Sequence, residues 1–168
     1  MSPTAIVRPA APADLPAIRL LHDRTFGPGC YARTAYRIRE GMPPLSPFCL
    51  VSYLDGELVA AVRFTPITIG GRPGALLLGP LAVSAPYAGQ GYGKALVAAG
   101  VEAARAAGRT LVLLVGNESY YARFGFVRVT RGQIILPGPV DPDRLLAVET
   151  TPGALATAHG TVAAERTG

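Results

Sequence analysis

Residues 76–97 read LLLGPLAVSAPYAGQGYGKALV: an apolar run, a turn, then Gly89-Gln90-Gly91-Tyr92-Gly93 leading into a helical pattern. No other stretch limits the fold as tightly. The first N–H groups of a helix have no intrahelical partner, and they carry the positive end of its dipole. Glycines before that helix let the main chain approach an anion with no side chain in the way. The segment therefore predicts a strand, a phosphate-binding loop and a helix in succession.

The neighbouring segments complete a unit. Gly91–Ala107 reads as an Ala-rich helix closed by Gly108, and Thr110–Val115 as a buried strand. Residues 75–115 should then form a right-handed crossover between parallel strands. Upstream, Phe48–Leu54 and Leu58–Phe64 flank Asp55-Gly56, a hairpin signal that makes the sheet mixed. Asp14–Arg24 and Tyr31–Glu40 read as helices, Glu118–Phe124 as a short helix, and Phe126–Val129 and Leu145–Glu149 as strands. The expected class is α/β (α+β), with all 168 residues in one domain and residues from about 158 to 168 as a flexible tail.

Composition removes several classes. The longest apolar run, Ala75–Val83, is interrupted by Gly79 and Pro80, so no bilayer span or membrane partner is expected. Asp14 and Asp23 fall where a signal peptide would be apolar, which gives a cytoplasmic reading. Cys30, Cys49, His22 and His159 show no metal-ligand spacing, so no metal is expected. The net charge of +5 suits an anionic ligand, but the arginines are scattered and do not point to nucleic acid.

Two familiar phosphate loops fail on spacing. A P-loop needs Gly-Lys followed by Ser or Thr, whereas Gly93-Lys94 is followed by Ala95, and Ala88 stands where the first glycine belongs. A dinucleotide fingerprint needs a different glycine spacing and a later acid, and Arg109 and Thr110 occupy that region.

The stretch Leu81–Leu96 resembles the GNAT superfamily of acyl-CoA-dependent N-acyltransferases, whose signature is Gln/Arg-x-x-Gly-x-Gly/Ala. One departure is that the first signature residue falls on Ala88. Residues 116–126, GNESYYARFGF, resemble the family's later Asn and Tyr-x-x-x-Gly-Phe segment. The pattern is similar to small, single-domain bacterial members.

The resemblance implies a mixed central sheet with splayed parallel strands and helices on both faces. It implies acetyl-CoA or another acyl-CoA as co-substrate. The implied donor-binding residues are Leu81, Ala82, Val83, Gly89, Gln90, Gly91, Tyr92, Gly93, Lys94 and Asn117, with Leu81 and Val83 offering main-chain groups. Asn117 reads equally well as a strand-end turn residue. Tyr121 is the implied general acid, with Tyr120 the lesser candidate and core packing the competing role for Tyr121. Glu57 reads as a hairpin residue and Glu118 as a helix-start residue, so no dedicated carboxylate base is expected. The acceptor is an amine of unidentified structure, flanked by the loops Phe26–Tyr31 and Arg131–Asp143. Arg33 and Arg37, four apart, read as a solvated helix face before they read as a receptor for an acidic substrate. A homodimer stays open. The rival reading is a CoA-binding regulatory or interaction protein with the same fold and little catalysis.

Overall fold

Two turns organise the middle of the chain. Asp55-Gly56 and Gly70-Gly71 all have positive φ, at 50°, 80°, 59° and 81°. That pairing matches the right-handed twist of the strands it joins and closes tight hairpins. The result is a meander of β2 (Leu50–Leu54), β3 (Glu57–Ile69) and β4 (Arg72–Val83). The structure is a computed structural model that describes residues 5–26, 38 and 41–166. The expected helix Tyr31–Glu40 (Ile38 apart), with Arg33 and Arg37, and also Cys30, lies outside the described residues.

Strand β1 (Ile6–Pro9) pairs with β2, and the helix α1 (Leu15–Phe26) follows it. Helix α2 (Tyr92–Ala106) links β4 to β5 (Leu111–Val115), which is parallel to β4. Then come α3 (Glu118–Tyr121), continued by a 3-10 turn over Ala122–Phe124, β6 (Val127–Arg128) and β7 (Ile134–Ile135). The chain continues with β8 (Leu145–Glu149), α4 (Ala154–Thr157) and β9 (Gly160–Ala164). The main strand order is β1-β2-β3-β4-β5-β8-β6.

Strand β9 corrects the sequence reading. Residues 160–164 are not a flexible tail but a strand, with Ile67↔Ala164 and Ile69↔Val162 in register and β7 on its other side. Glu165 secures it. Its carboxylate accepts from the Gly74 amide at 2.9 Å and from Arg109 at 3.0 Å. β3 outruns β2 by several residues, and β9 fills the edge that β2 leaves open.

Both faces of the sheet are covered. Ala60, Val62, Phe64, Leu76, Leu78, Val112 and Leu114 pack with Leu96, Val97 and Val101 of α2. The opposite face packs Val51, Ala61 and Ala82 against Leu21 of α1, and Leu77, Leu111 and Leu113 against Ile134, Leu136 and Val162. Among the described residues, no helix is long and apolar enough to cross a membrane.

Asp14 joins β1 to the helix that follows. Its carboxylate accepts from Arg8 at 2.8 Å, the Ala11 amide at 2.7 Å and the Tyr53 hydroxyl at 2.8 Å, and the residue is 4% exposed. The Arg8 hydrogen bonds, ahead of the amide and the hydroxyl, hold this carboxyl well below the usual range against the opposing effect of burial. An acid with a depressed folded pKa stabilises above its unfolded value near 3.9, and that contribution is lost as pH falls through the folded value. Asp14→Asn should cost about 2 kcal/mol at pH 7, measured by urea unfolding. The difference from wild type should shrink as the pH is lowered below about 4.

Candidate active site

The site begins with an irregularity in β4. Val62 pairs with Leu81 and Phe64 with Leu78, so three steps along β4 match two along β3. The extra residue makes a bulge at Gly79-Pro80, and a bulge bends its strand. Parallel pairing to β5 is confined to Leu76↔Val112 and Leu77↔Leu113. Beyond the bulge the two strands part. A cavity of about 790 Å³ occupies the gap, lined by Leu78, Gly79, Pro80 and Leu81 on one side and by Leu114, Val115 and Gly116 on the other.

Hydrogen-bond alternation shows which main-chain groups look into the gap. The Ser84 amide donates to the Val59 carbonyl at 2.8 Å, and Val83 lies opposite Ala60. In an antiparallel pair these directions alternate residue by residue. The N–H and C=O of Ala82 therefore turn to β3, and those of Leu81 and Val83 turn to the gap. Leu81, expected with Val83 to offer main-chain groups, also lines the cavity. Ala82, expected beside them, differs: its backbone serves the sheet, and its side chain is buried against the α1 face.

The glycine loop stands beside this gap. Gly89 and Gly91 have φ of 76° and 92°, and Gly91 occupies the position just before α2. The Ala95 amide bonds the Gly91 carbonyl at 3.0 Å, leaving the N–H groups of Tyr92, Gly93 and Lys94 without an intrahelical acceptor. Gly93 is small because space demands it. A Cβ there would lie 3.0 Å from Val83 and 3.3 Å from the Tyr120 hydroxyl. This fit brings the helix start close to β4 and to α3. The Gln90 side chain reaches back to the Pro86 carbonyl at 3.3 Å, the Tyr92 ring packs edge-on against Tyr87 at 5.9 Å, and Lys94 is exposed.

At the other side of the gap, α3 presents Asn117, Tyr120 and Tyr121 to the cavity. The Asn117 carbonyl accepts from the Tyr120 and Tyr121 amides at 3.1 Å. Its side chain makes no cap bond, although it stands in the cap position. The Tyr121 ring meets Phe126 at 5.7 Å and Tyr120 at 4.8 Å, both edge-on. Beneath it lies Gly116, where a Cβ would fall 2.6 Å from the ring. Burial, reinforced by Tyr120 and opposed by Arg144, has pushed the Tyr121 hydroxyl up to about 12. Among the described residues that hydroxyl has no hydrogen-bond partner. Tyr121 is thus a neutral phenol at the wall of a mainly apolar space.

A family model, the acetyltransferase (GNAT) family, matches residues 15–126. The chain is 32% identical over 124 residues to YhbS of Escherichia coli K12, named as an N-acetyltransferase, covering 72% of each. The chain belongs to the GNAT family. Among solved structures, it matches that of Escherichia coli YhbS in complex with CoA with a TM-score of 0.85 and 27% identity, over 98% of this chain and 92% of that one. A GNAT acetyltransferase of Brucella melitensis in complex with acetyl-CoA matches with a TM-score of 0.66 and 30% identity, over 88% and 97%.

As a GNAT protein, the chain shows the expected mixed sheet with its splayed parallel pair. Of the two carboxylates weighed and set aside as bases, Glu57 accepts from the Tyr87 hydroxyl at 2.9 Å, and Glu118 pairs with Arg128 at 3.3 Å. Two cavity residues were not singled out from sequence, Asp141 and Arg144. They sit within and just past the loop expected at the acceptor side, which also supplies Leu136, Pro139 and Val140. Phe26 lines the cavity at the first expected loop.

Proposed function

We propose that this GNAT protein carries an acetyl group from acetyl-CoA to an amine by direct attack. The observation that carries this reading is the bulged gap lined by Leu81, Asn117 and Tyr121, with the glycine loop packed at its side where Gly93 meets Val83 and Tyr120. The CoA and acetyl-CoA bound to the two relatives support the choice of donor. So do residues of this chain: small Gly93 and Gly116, main-chain groups without strand partners, and a helix start that favours anions.

In this reading Leu81 and Val83 offer main-chain hydrogen bonds to the amides of the pantetheine arm, as an added strand would take them. The N–H groups of Tyr92, Gly93 and Lys94 face the pyrophosphate. The exposed Lys94 side chain adds only screened attraction. Asn117, with its side chain unused as a cap, hydrogen-bonds the arm.

Chemistry needs a neutral amine, support for the carbonyl oxygen as it gains charge, and a donor to the leaving sulfur. The amine nitrogen forms a bond to the acyl carbon, the C–S bond breaks, and its electron pair goes to sulfur. Tyr121 donates its hydroxyl proton towards that sulfur. A phenol near 12 facing a thiol near 8.5 makes a completed, isolated transfer uphill by about 5 kcal/mol. The proton must therefore be replaced from the attacking nitrogen as it leaves Tyr121, so that no free tyrosinate forms. No buried carboxylate among the described residues serves as a base, and the amine arrives neutral from solvent.

Acetyl-CoA at a hundred times its dissociation constant should stabilise the protein by about 2.7 kcal/mol, read as a rise in Tm. Free thiol should then appear when amines are added. Absence of a shift at millimolar acetyl-CoA would overturn the reading. Binding without thiol release across a broad amine panel would favour the CoA-binding regulatory alternative.

A further inference from the structure

The cavity holds a charge that the donor does not use. Its lining is mainly apolar, and among the described residues it contains one anion, Asp141, and one cation, Arg144. Asp141 is already engaged: its carboxylate accepts from the Asp143 amide at 3.0 Å and opens the turn Pro142–Arg144. The main chain of Arg144 is fixed at both ends. Its amide donates to the Asp141 carbonyl at 2.9 Å, and its carbonyl accepts from the Gly116 amide at 2.9 Å. Arg144 is thereby held opposite the glycine on which the Tyr121 ring rests. Its charge reaches the Tyr121 hydroxyl.

The guanidinium itself makes no hydrogen bond or ion pair among the described residues. Arg8, Arg105, Arg109, Arg128 and Arg131 each have an acidic partner, and among the described arginines Arg144 is the one that lines the cavity. Arg144 is exposed and lines the mouth of a mainly apolar cavity, and a carboxylate matches the planar fork of its guanidinium. The donor does not bring one there in the proposed binding mode. Its phosphates face the start of α2, and the pantetheine arm and thioester that enter the gap are neutral. An anion bound there would come with the other substrate.

We propose that Arg144 binds a carboxylate on the acceptor, and that the acceptor is an amino acid-like molecule carrying both a primary amine and a carboxylate. Its apolar part lies against Pro139 and Val140. This rests on the acyltransferase reading and names the substrate class for that same site.

The test uses the full chain with saturating acetyl-CoA and a panel of amino acids, each paired with its primary amide. The amide's amine is the weaker base and is more often neutral, so a preference for the acid does not arise from amine protonation. Wild type should use at least one acid with kcat/KM at least about 10-fold above its amide. Arg144→Gln should raise KM for the acid about 10-fold and leave KM for the amide and for acetyl-CoA near wild type; Arg144→Lys should retain part of the preference. Equal use of acid and amide by wild type would overturn the proposal. So would an Arg144→Gln variant that loses kcat equally on both, because the arginine would then be acting on the departing sulfur. If no acid in the panel turns over while acetyl-CoA still raises Tm, the acceptor class is wrong and donor binding stands. If acetyl-CoA gives no rise in Tm, the acyltransferase reading fails instead.

Discussion

Tyr121→Phe is expected to lower kcat by at least about 10-fold, and by as much as 100-fold, while KM for acetyl-CoA and Tm stay near wild type. The substitution keeps the ring that packs on Phe126 and over Gly116, so the packing it supports persists. It removes only a hydroxyl that has no hydrogen-bond partner among the described residues. Loss of turnover with unchanged stability therefore isolates the donor role from the packing role. Because burial has pushed this hydroxyl up to about 12, it stays protonated throughout the working range. The kcat–pH profiles of wild type and variant should then differ in height but keep the same shape below pH ~11. Single-turnover measurements keep the comparison on the chemical step. An unchanged single-turnover rate would take Tyr121 out of the mechanism and leave it as a core residue.

Phe64→Ala should cost about 3–5 kcal/mol, a large share of the stability of a domain this size. Phe64 is fully buried on the face beneath α2. It meets that helix at Gly100, where a Cβ would fall within the Phe64 ring. The glycine in mid-helix is thus explained by close approach rather than by backbone conformation. Two further variants check the pairing. Gly100→Ala should be destabilising by about 1–3 kcal/mol through overpacking. The same change should cost clearly less in a Phe64→Leu background, where part of the space has been vacated. Additive losses in chemical denaturation would show that ring and glycine do not share the space. Because α2 starts at the Gly89–Gly93 loop proposed to hold the donor's pyrophosphate, the Phe64→Ala protein should also bind acetyl-CoA more weakly under conditions where it remains folded.

The parts of this molecule that were legible in its sequence are those set by local chemistry. Asp55-Gly56 specifies a hairpin by itself, and the Gly89–Gly93 loop specifies a strand-to-helix joint. The resemblance carried by Asn117–Phe126 singled out Tyr121, which lines the cavity. What was not legible depends on partners distant in the chain. Gly160–Ala164 is short and Ala-rich and becomes a strand only because β3 has an unfilled edge. Ile6–Pro9 is a mostly exposed edge strand whose apolar pattern gives little signal. Ala82 was grouped with Leu81 and Val83 because composition does not reveal the direction of a carbonyl; register does. Arg144 reaches the cavity through the pairing of β5 with β8, which no local motif announces. Gly116 reads as one more loop glycine until the Tyr121 ring is seen to rest on it.

The edge strand β9 has a consequence for the order in which this protein matures. It is joined to β3 across 95 positions, as at Thr68 and Ala163, and it carries β7 on its outer side. The wall formed by Leu136, Pro139 and Val140 follows directly from β7. During synthesis, the meander, the glycine loop, α2 and β5 can assemble before any of this wall has an anchor. Long-range pairing of this kind forms late and opens readily. The nascent chain therefore has a stage at which the glycine loop and the gap between β4 and β5 exist and the wall of Leu136, Pro139 and Val140 does not. Local opening of the finished protein should retrace that stage in reverse.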